Sequence, residues 1–253
     1  MQKNAKNFRS FECTHHFLVK TNNAIFQKNY FRNIHLLKVG IFSILRRLQN
    51  IIKDLNDIIM ISSIYIMENV VFTLALITTS LLGDYLVFTW LNGYPGIYRA
   101  IGDSLTHGLI GLFSWLIIDK SIIKAFGCMA TAMLVDTDRF IEAQTLDLNK
   151  ALNLAHRPFL HNSTIPLAFY HIAILINLVI NNHKFKLISS LVFVALFTHQ
   201  LRDASRRGLW FWPWIQSLPI QPYPLYIALI IVLSFSVKYY VMFNSKTYDV
   251  INV

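Results

Sequence analysis

The chain has 253 residues, 55% of them hydrophobic and only 14% charged, with a mean hydropathy of +0.46. Soluble domains carry about 25% charged residues, so this composition excludes a disordered chain and argues against a water-soluble enzyme. The formal net charge is +10, and residues 1–57 supply most of it with ten Lys/Arg against three acids; a basic segment beside a membrane reads anionic lipid or sets topology, so nucleic acid is not the expected partner.

Residues 1–66 form the first expected region. Leu37, Ile41, Leu45, Leu48, Ile52, Leu55 and Ile59 follow helical spacing with Lys38, Arg46, Arg47 and Lys53 among them, the pattern of a helix lying in the membrane interface. The alternative is that these residues precede a start at Met60 or Met67. Residues 67–253 form the expected multi-pass transmembrane domain. Residues 70–90 hold one charge, Asp84, and span about 31 Å as a helix, enough to cross a bilayer. Residues 105–118 and 121–135 are shorter apolar runs that meet at Asp119-Lys120. Residues 164–180 and 187–201 make a second pair, and residues 225–243 are the last span, with Lys238 placed to snorkel. The fold class is therefore all-α: a polytopic integral membrane bundle of five or six spans, or four plus a short re-entrant hairpin, behind a basic tail. Trp210, Trp212 and Trp214 beside the last span suit an interfacial belt.

In a helical hairpin the start of the first helix and the end of the second lie at the same side. That rule gathers His107, Asp136, Asp138, His156, His161, His199 and Asp203 at one membrane face. Asp103 and His107 are four residues apart, as are His199 and Asp203, so each pair shares a helix face. Imidazole and carboxylate in such number suit one or two divalent transition metal ions, Zn, Mn or Fe. The ligands expected are His107, Asp136, Asp138, His161, His199 and Asp203. His156 is a candidate ligand or the general acid, and Arg157 or Arg206 the candidate grip on a phosphate. A single interfacial His is usually a polar cap and a single Asp-x-Asp usually a loop; convergence at one face is what favours a site. Asp84, deep in its span, calls for a protein or water partner, because a carboxylate there costs about 2.5–3.5 kcal/mol. His171 reads as a hydrogen-bonded packing residue, and Asn162-Ser163-Thr164 as a glycosylation sequon too close to a span to be modified.

No P-loop, H-E-x-x-H or G-x-S-x-G motif is present. The segments Asp103 to Gly108, Val135 to Phe140, His156 to Thr164 and Thr198 to Asp203, followed by Arg207-Gly208-Leu209-Trp210, together resemble the Transmembrane protein 267 family over about residues 67–243. More distantly the pattern is similar to bacterial predicted membrane-bound metal-dependent hydrolases, with Thr106-His107, Asp136 with Asp138, His156-Arg157 with His161, and His199 with Asp203 in the matching motifs. Pro158 stands where their third motif has glycine, and Asn162 departs from its serine. The resemblance implies a metal site and a hydrolase acting on a lipid-linked ester or phosphoester at the bilayer surface. A membrane adaptor with a metal-stabilised His/Asp knot is the alternative. The lipid bilayer is the expected partner, in an endomembrane or the plasma membrane, and the tail favours a cytosolic N-terminus. The sequence names no protein partner.

Overall fold

A computed structural model describes residues 46–47, 49–154, 156–213 and 215–243. The first part of the expected interfacial helix, with Leu37, Ile41, Leu45 and Leu48, lies outside the described residues, as do Trp214 and Lys246. Contacts divide the chain into two compact units, Met1–Tyr65 and Ile66–Val253. In the first, the described residues are helical and solvent-exposed. The rest of this section concerns the second.

The elements are helical throughout, apart from one two-stranded ribbon. The apolar helix α1, Gln49–Gly93, carries residues 66–93 into the second unit and widens into a π turn, Leu86–Trp90, before a 3-10 turn, Leu91–Gly93, ends it. Helices α2 (Gly96–Ile118) and α3 (Ile122–Leu134) form a hairpin, followed by a 3-10 turn at Val135–Thr137 and two short helices, α4 (Asp138–Glu142) and α5 (Leu148–Leu152). A second 3-10 turn, Phe159–His161, leads into the hairpin of α6 (Thr164–Ile180) and α7 (His183–Arg207). Strands β1 (Trp210–Phe211) and β2 (Ile215–Gln216) pair antiparallel, and α8 (Leu225–Phe243) closes the unit.

Three helices, α1, α2 and α8, are long and apolar enough to cross a membrane. The run expected at residues 105–118 is thus the second half of a 23-residue helix, about 35 Å long and so long enough to cross a bilayer. Its first turns escape an apolar scan because Arg99 and Asp103 interrupt them. Helix α6 is apolar but shorter, and α3 has 13 residues. Helix α7 is long enough at 25 residues, yet its lower half is polar, because that half builds the site described below.

Helix α7 sits at the centre and packs against α2, α3, α6 and α8. One apolar cluster joins Trp115, Cys128, Tyr170, Phe193 and Val241, with the Tyr170 and Phe193 rings stacked at 4.0 Å; a second joins Leu76, Ile110, Ile117, Tyr226 and Ile230. Large apolar side chains such as Leu178, Val179 and Val232 point outward, as suits a surface solvated by lipid. Lys238 does not snorkel: it is buried, and its ammonium donates to Asn69 Oδ1 at 2.7 Å. A polar acceptor on α1 spares it the reach to the interface. His171 donates to Leu167 O at 2.7 Å as expected of a hydrogen-bonded residue, but its ring is exposed. Asn162 is 2% exposed and its amide oxygen accepts from the Thr164 and Trp212 amides, which leaves no accessible acceptor for a glycan.

Turn chemistry sets the second hairpin. Asn181 takes the left-handed conformation (φ 48°), and the Asn182 side chain caps α7 by accepting from Lys184 N and Phe185 N. The first hairpin relies on close backbone approach instead. A Cβ at Gly111 would stand 3.1 Å from Ala132 Cβ and 3.3 Å from Cys128 O, the small-residue contact that lets membrane helices approach. Gly111→Leu should therefore lower the unfolding midpoint in detergent, by roughly 1–3 kcal/mol equivalent through overpacking. A wild-type midpoint would mean that α2 and α3 separate without penalty.

Candidate metal centre

The lower ends of α2, α3 and α7 converge with the loop 135–163, and each contributes one or two polar side chains. From α2 comes His107, 1% exposed, whose ring stacks on His199 of α7 at 3.6 Å. From α7 come His199 and, one turn on, Asp203. The 3-10 turn after α3 supplies Asp136, and the turn before α6 supplies His161. Gln200 of α7 fixes that second turn, donating to Leu160 O at 2.9 Å and Asn162 O at 3.2 Å.

Four atoms face one another: Asp136 Oδ1, His161 Nε2, His199 Nε2 and Asp203 Oδ2. His161 Nε2 lies 3.4 Å from His199 Nε2, 3.6 Å from Asp136 Oδ1 and 3.6 Å from Asp203 Oδ2; His199 Nε2 lies 3.8 and 3.9 Å from the same two carboxylate oxygens. Ligands bonded at 2.0–2.2 Å to a tetrahedral ion are about 3.3–3.6 Å apart, so the set is slightly wider than an ion would draw it. His107 Nε2 stands 3.5 Å from the other oxygen of Asp203, which puts that carboxylate between His107 and the His161–His199 pair. Two overlapping groups, His107 with Asp136 and His199, and His161 with His199 and Asp203, each bring three ligand atoms within 4.8 Å of one another.

The hydrogen bonds select the tautomers. His199 Nδ1 donates to Ala132 O at 3.0 Å, and His161 Nδ1 donates to Asp138 Oδ2 at 3.3 Å. Both rings therefore turn Nε2 toward the carboxylates, where a bound ion would displace the proton that His161 otherwise carries. Asp138, expected among the ligands, belongs to neither three-atom group and sits behind His161, where it also accepts from Leu160 N at 2.7 Å. His107 makes no hydrogen bond through either buried ring nitrogen, and Asp138 Oδ1 likewise lacks one, whereas Asp136 Oδ1 is held by Arg139 Nη2 at 2.9 Å. Buried polar atoms without partners are costly. These atoms fit a divalent cation in both chemistry and spacing.

Charge points the same way. Among the described residues, Asp84, Asp103, Asp136, Asp138 and Asp203 face Arg139, Arg202 and Arg206, leaving two negative charges when the imidazoles are neutral. Burial by itself lowers the pKa of His161, but hydrogen bonds to Asp136 and Asp138 and the Asp203 charge outweigh it, so His161 is held at about 9. Burial raises Asp136, yet His199, His161, His107 and Arg139 hold it well below the usual carboxylate range.

The remaining expected site residues lie at the margin. His156 is exposed and lines a small recess together with His161, Asp203 and Arg157. Arg157 Nη1 donates to Gly208 O at 3.0 Å. Arg206 is committed to Asp203 Oδ1 at 2.6 Å and lies 4.2 Å over the Phe88 ring, so its fork is less available to a substrate than that of Arg157. Sequence reasoning passed over Arg139 and Arg202. Arg139 pairs with Asp136 at 2.9 Å and approaches His161 Nε2 at 3.5 Å. Arg202 is wholly buried and bridges Asp84 and Asp103, each at 2.8 Å. Its signal was Asp84 itself: a carboxylate at that depth needs a cation, and Arg202 lies one helical turn from His199.

A bundle of apolar helices around a buried polar cluster defines a multi-pass integral membrane protein. Among known proteins, Transmembrane protein 267 of Mus musculus is 33% identical over 130 residues, covering 48% of this chain and 60% of the relative. The Bos taurus protein of that name is 34% identical over 145 residues and the Danio rerio protein 32% over 137 residues, each covering 52% of this chain and 63% and 62% of the relative. These likenesses support the Transmembrane protein 267 family, which the chain resembles while spanning about 60% of the mouse relative's length. No family model matches the chain, and no solved structure matches it.

Proposed function

We propose that this membrane protein is a metal-dependent hydrolase that acts on a lipid-linked ester or phosphoester at the bilayer surface of an endomembrane or the plasma membrane. The observation that carries the reading is the set Asp136 Oδ1, His161 Nε2, His199 Nε2 and Asp203 Oδ2, in which the two imidazole nitrogens lie 3.4 Å apart and 3.6–3.9 Å from the carboxylate oxygens. Mixed nitrogen and oxygen donors suit zinc, manganese or iron. Asp203, with one oxygen toward His107 and the other toward His161 and His199, would help hold an ion together with those imidazoles. A divalent ion bound here supplies a water acidified to a pKa of about 7 and a Lewis acid for the ester oxygen.

The chain's own groups do the rest. Ala132 O and Asp138 keep the two imidazoles in the ligating tautomer. Water adds at the phosphorus or acyl carbon and gives up a proton to solvent, the ester bond breaks, and protonated His156 gives its proton to the departing oxygen before being reprotonated from solvent. Arg157 steadies an anionic oxygen through its planar fork. Asp138 is a positioning residue, and Arg206 orients Asp203.

The test is metal analysis of the detergent-purified full chain beside His199→Ala and Asp136→Ala, with release of phosphate or fatty acid from mixed-lipid vesicles measured in parallel. Wild type should hold at least one transition metal per chain, and both variants should lose the metal and the release. A folded wild type with no more metal than the variants would overturn the reading in favour of the adaptor.

A further inference from the structure

Among the recesses that open on the His/Asp group, three differ in the chemistry of their linings. The smallest, about 50 Å³, has His161 and Asp203 on its walls together with Arg139, His156, Arg157 and Arg207. A second, about 250 Å³, is lined by Arg99, Arg206 and Arg207 as well as Asp103 and Asp203. The third, about 410 Å³, is mainly apolar, with Ile97, Ile101, Met133, Phe140, Leu148 and Leu152. All three share Arg139 and Leu152, so a ligand seated at that junction touches a cationic recess and an apolar one at once.

The guanidiniums are not all spent on carboxylates. Arg139 and Arg206 hold Asp136 and Asp203. Arg157 Nη2 is buried without a hydrogen-bond partner, and Arg207 makes no ion pair among the described residues. A buried N–H that has left water needs an acceptor, and the guanidinium fork matches phosphate oxygens. A neutral carboxylic ester offers one weak carbonyl acceptor and no charge, which neither recruits nor balances Arg157 and Arg207. A phosphate does both.

We infer that the site takes a phosphate-headed, chain-bearing amphiphile, with the phosphate between His161/Asp203 and Arg157/Arg207 and a hydrocarbon chain in the recess of Ile97, Phe140 and Leu148. This rests on the hydrolase reading for its reaction but not for its binding. The apolar recess supplies affinity at about fourfold per buried methylene, and the arginines supply the choice of headgroup. Head and chain are therefore separable by mutation: Arg157 and Arg207 act on every phosphate ligand, Leu148 only on those with a chain.

The experiment is equilibrium dialysis of the metal-loaded, detergent-purified full chain against dioctanoyl phosphatidate, dioctanoylglycerol and inorganic phosphate. Phosphatidate should bind at least 100-fold more tightly than inorganic phosphate, and dioctanoylglycerol should not compete. Arg157→Gln and Arg207→Gln should each weaken both phosphate probes about tenfold or more. Leu148→Trp, which fills the apolar recess, should weaken phosphatidate alone, with an unchanged unfolding midpoint and metal content. Equal binding of dioctanoylglycerol and phosphatidate would overturn the proposal, as would inorganic phosphate binding as tightly as phosphatidate or indifference to both arginine variants. Selective phosphatidate binding by a chain that holds no metal would sink the hydrolase reading and leave this one standing. Metal retained without phosphatidate binding would do the reverse.

Discussion

Arg202→Met is expected to destabilise the protein by about 3–5 kcal/mol, the loss seen when one partner of a buried ion pair is removed. Arg202 is 0% exposed, and its guanidinium holds Asp84 Oδ1 through Nε and Nη2, both at 2.8 Å, and Asp103 Oδ1 through Nη1 at 2.8 Å. Tyr223 and Tyr226 donate their hydroxyls to the other oxygen of Asp84. Residues from α1, α2, α7 and the α8 segment thus share one charged knot. Methionine keeps much of the volume but leaves buried Asp84 with hydroxyl donors alone and Asp103 with only Arg206, 3.7 Å away. Adding Asp84→Asn removes one of those charges, so the double variant should recover part of the loss; thermal unfolding in detergent reads both. An Arg202→Met protein as stable as wild type would show that the knot contributes no net stability.

Asp138→Ala should weaken metal binding by about 10–100-fold without abolishing it, the usual cost of removing a carboxylate that orients a ligating histidine. Asp138 Oδ2 accepts from both His161 Nδ1 and Leu160 N. Without it the imidazole is free to choose the wrong tautomer, and a buried amide is stranded at a cost of about 1–3 kcal/mol. Asp138→Asn retains one acceptor and should lose less. Competition with a zinc chelator measures the affinities. A loss as complete as that of His199→Ala would make Asp138 a direct ligand, and an unchanged affinity would remove it from the site.

Much of the fold was legible from residue order alone. The apolar runs at residues 164–180 and 225–243 coincide with α6 and α8, because in lipid a helix is the structure that satisfies its own backbone. Where charges interrupt the run the reading stopped short. Residues 96–104 of α2 and 202–207 of α7 are helical despite Arg99, Asp103, Arg202 and Asp203; Arg202 answers Asp84 and Asp103 across the bundle, and Arg206 answers Asp203 on α7 itself. Lys238 failed for a related reason: a partner on a distant helix was invisible in its own neighbourhood.

The candidate site divides along the same line. Hairpin logic on residue order sufficed to expect His107, Asp136, His161, His199 and Asp203 at one face, since spans of fixed rise return their ends to one side. Which atoms meet was decided only by tertiary packing. The close α2–α3 approach at Gly111 and the Gln200 clamp set Asp136 Oδ1, His161 Nε2 and His199 Nε2 within 4 Å of one another. The same packing turned Asp138 behind His161 and gave Arg206 to Asp203. It also buried Arg202 between carboxylates 118 and 99 residues away in the chain. Periodicity fixes the face on which a side chain stands, whereas hydrogen-bond partners follow from distances of a few ångströms between elements that sequence spacing does not encode.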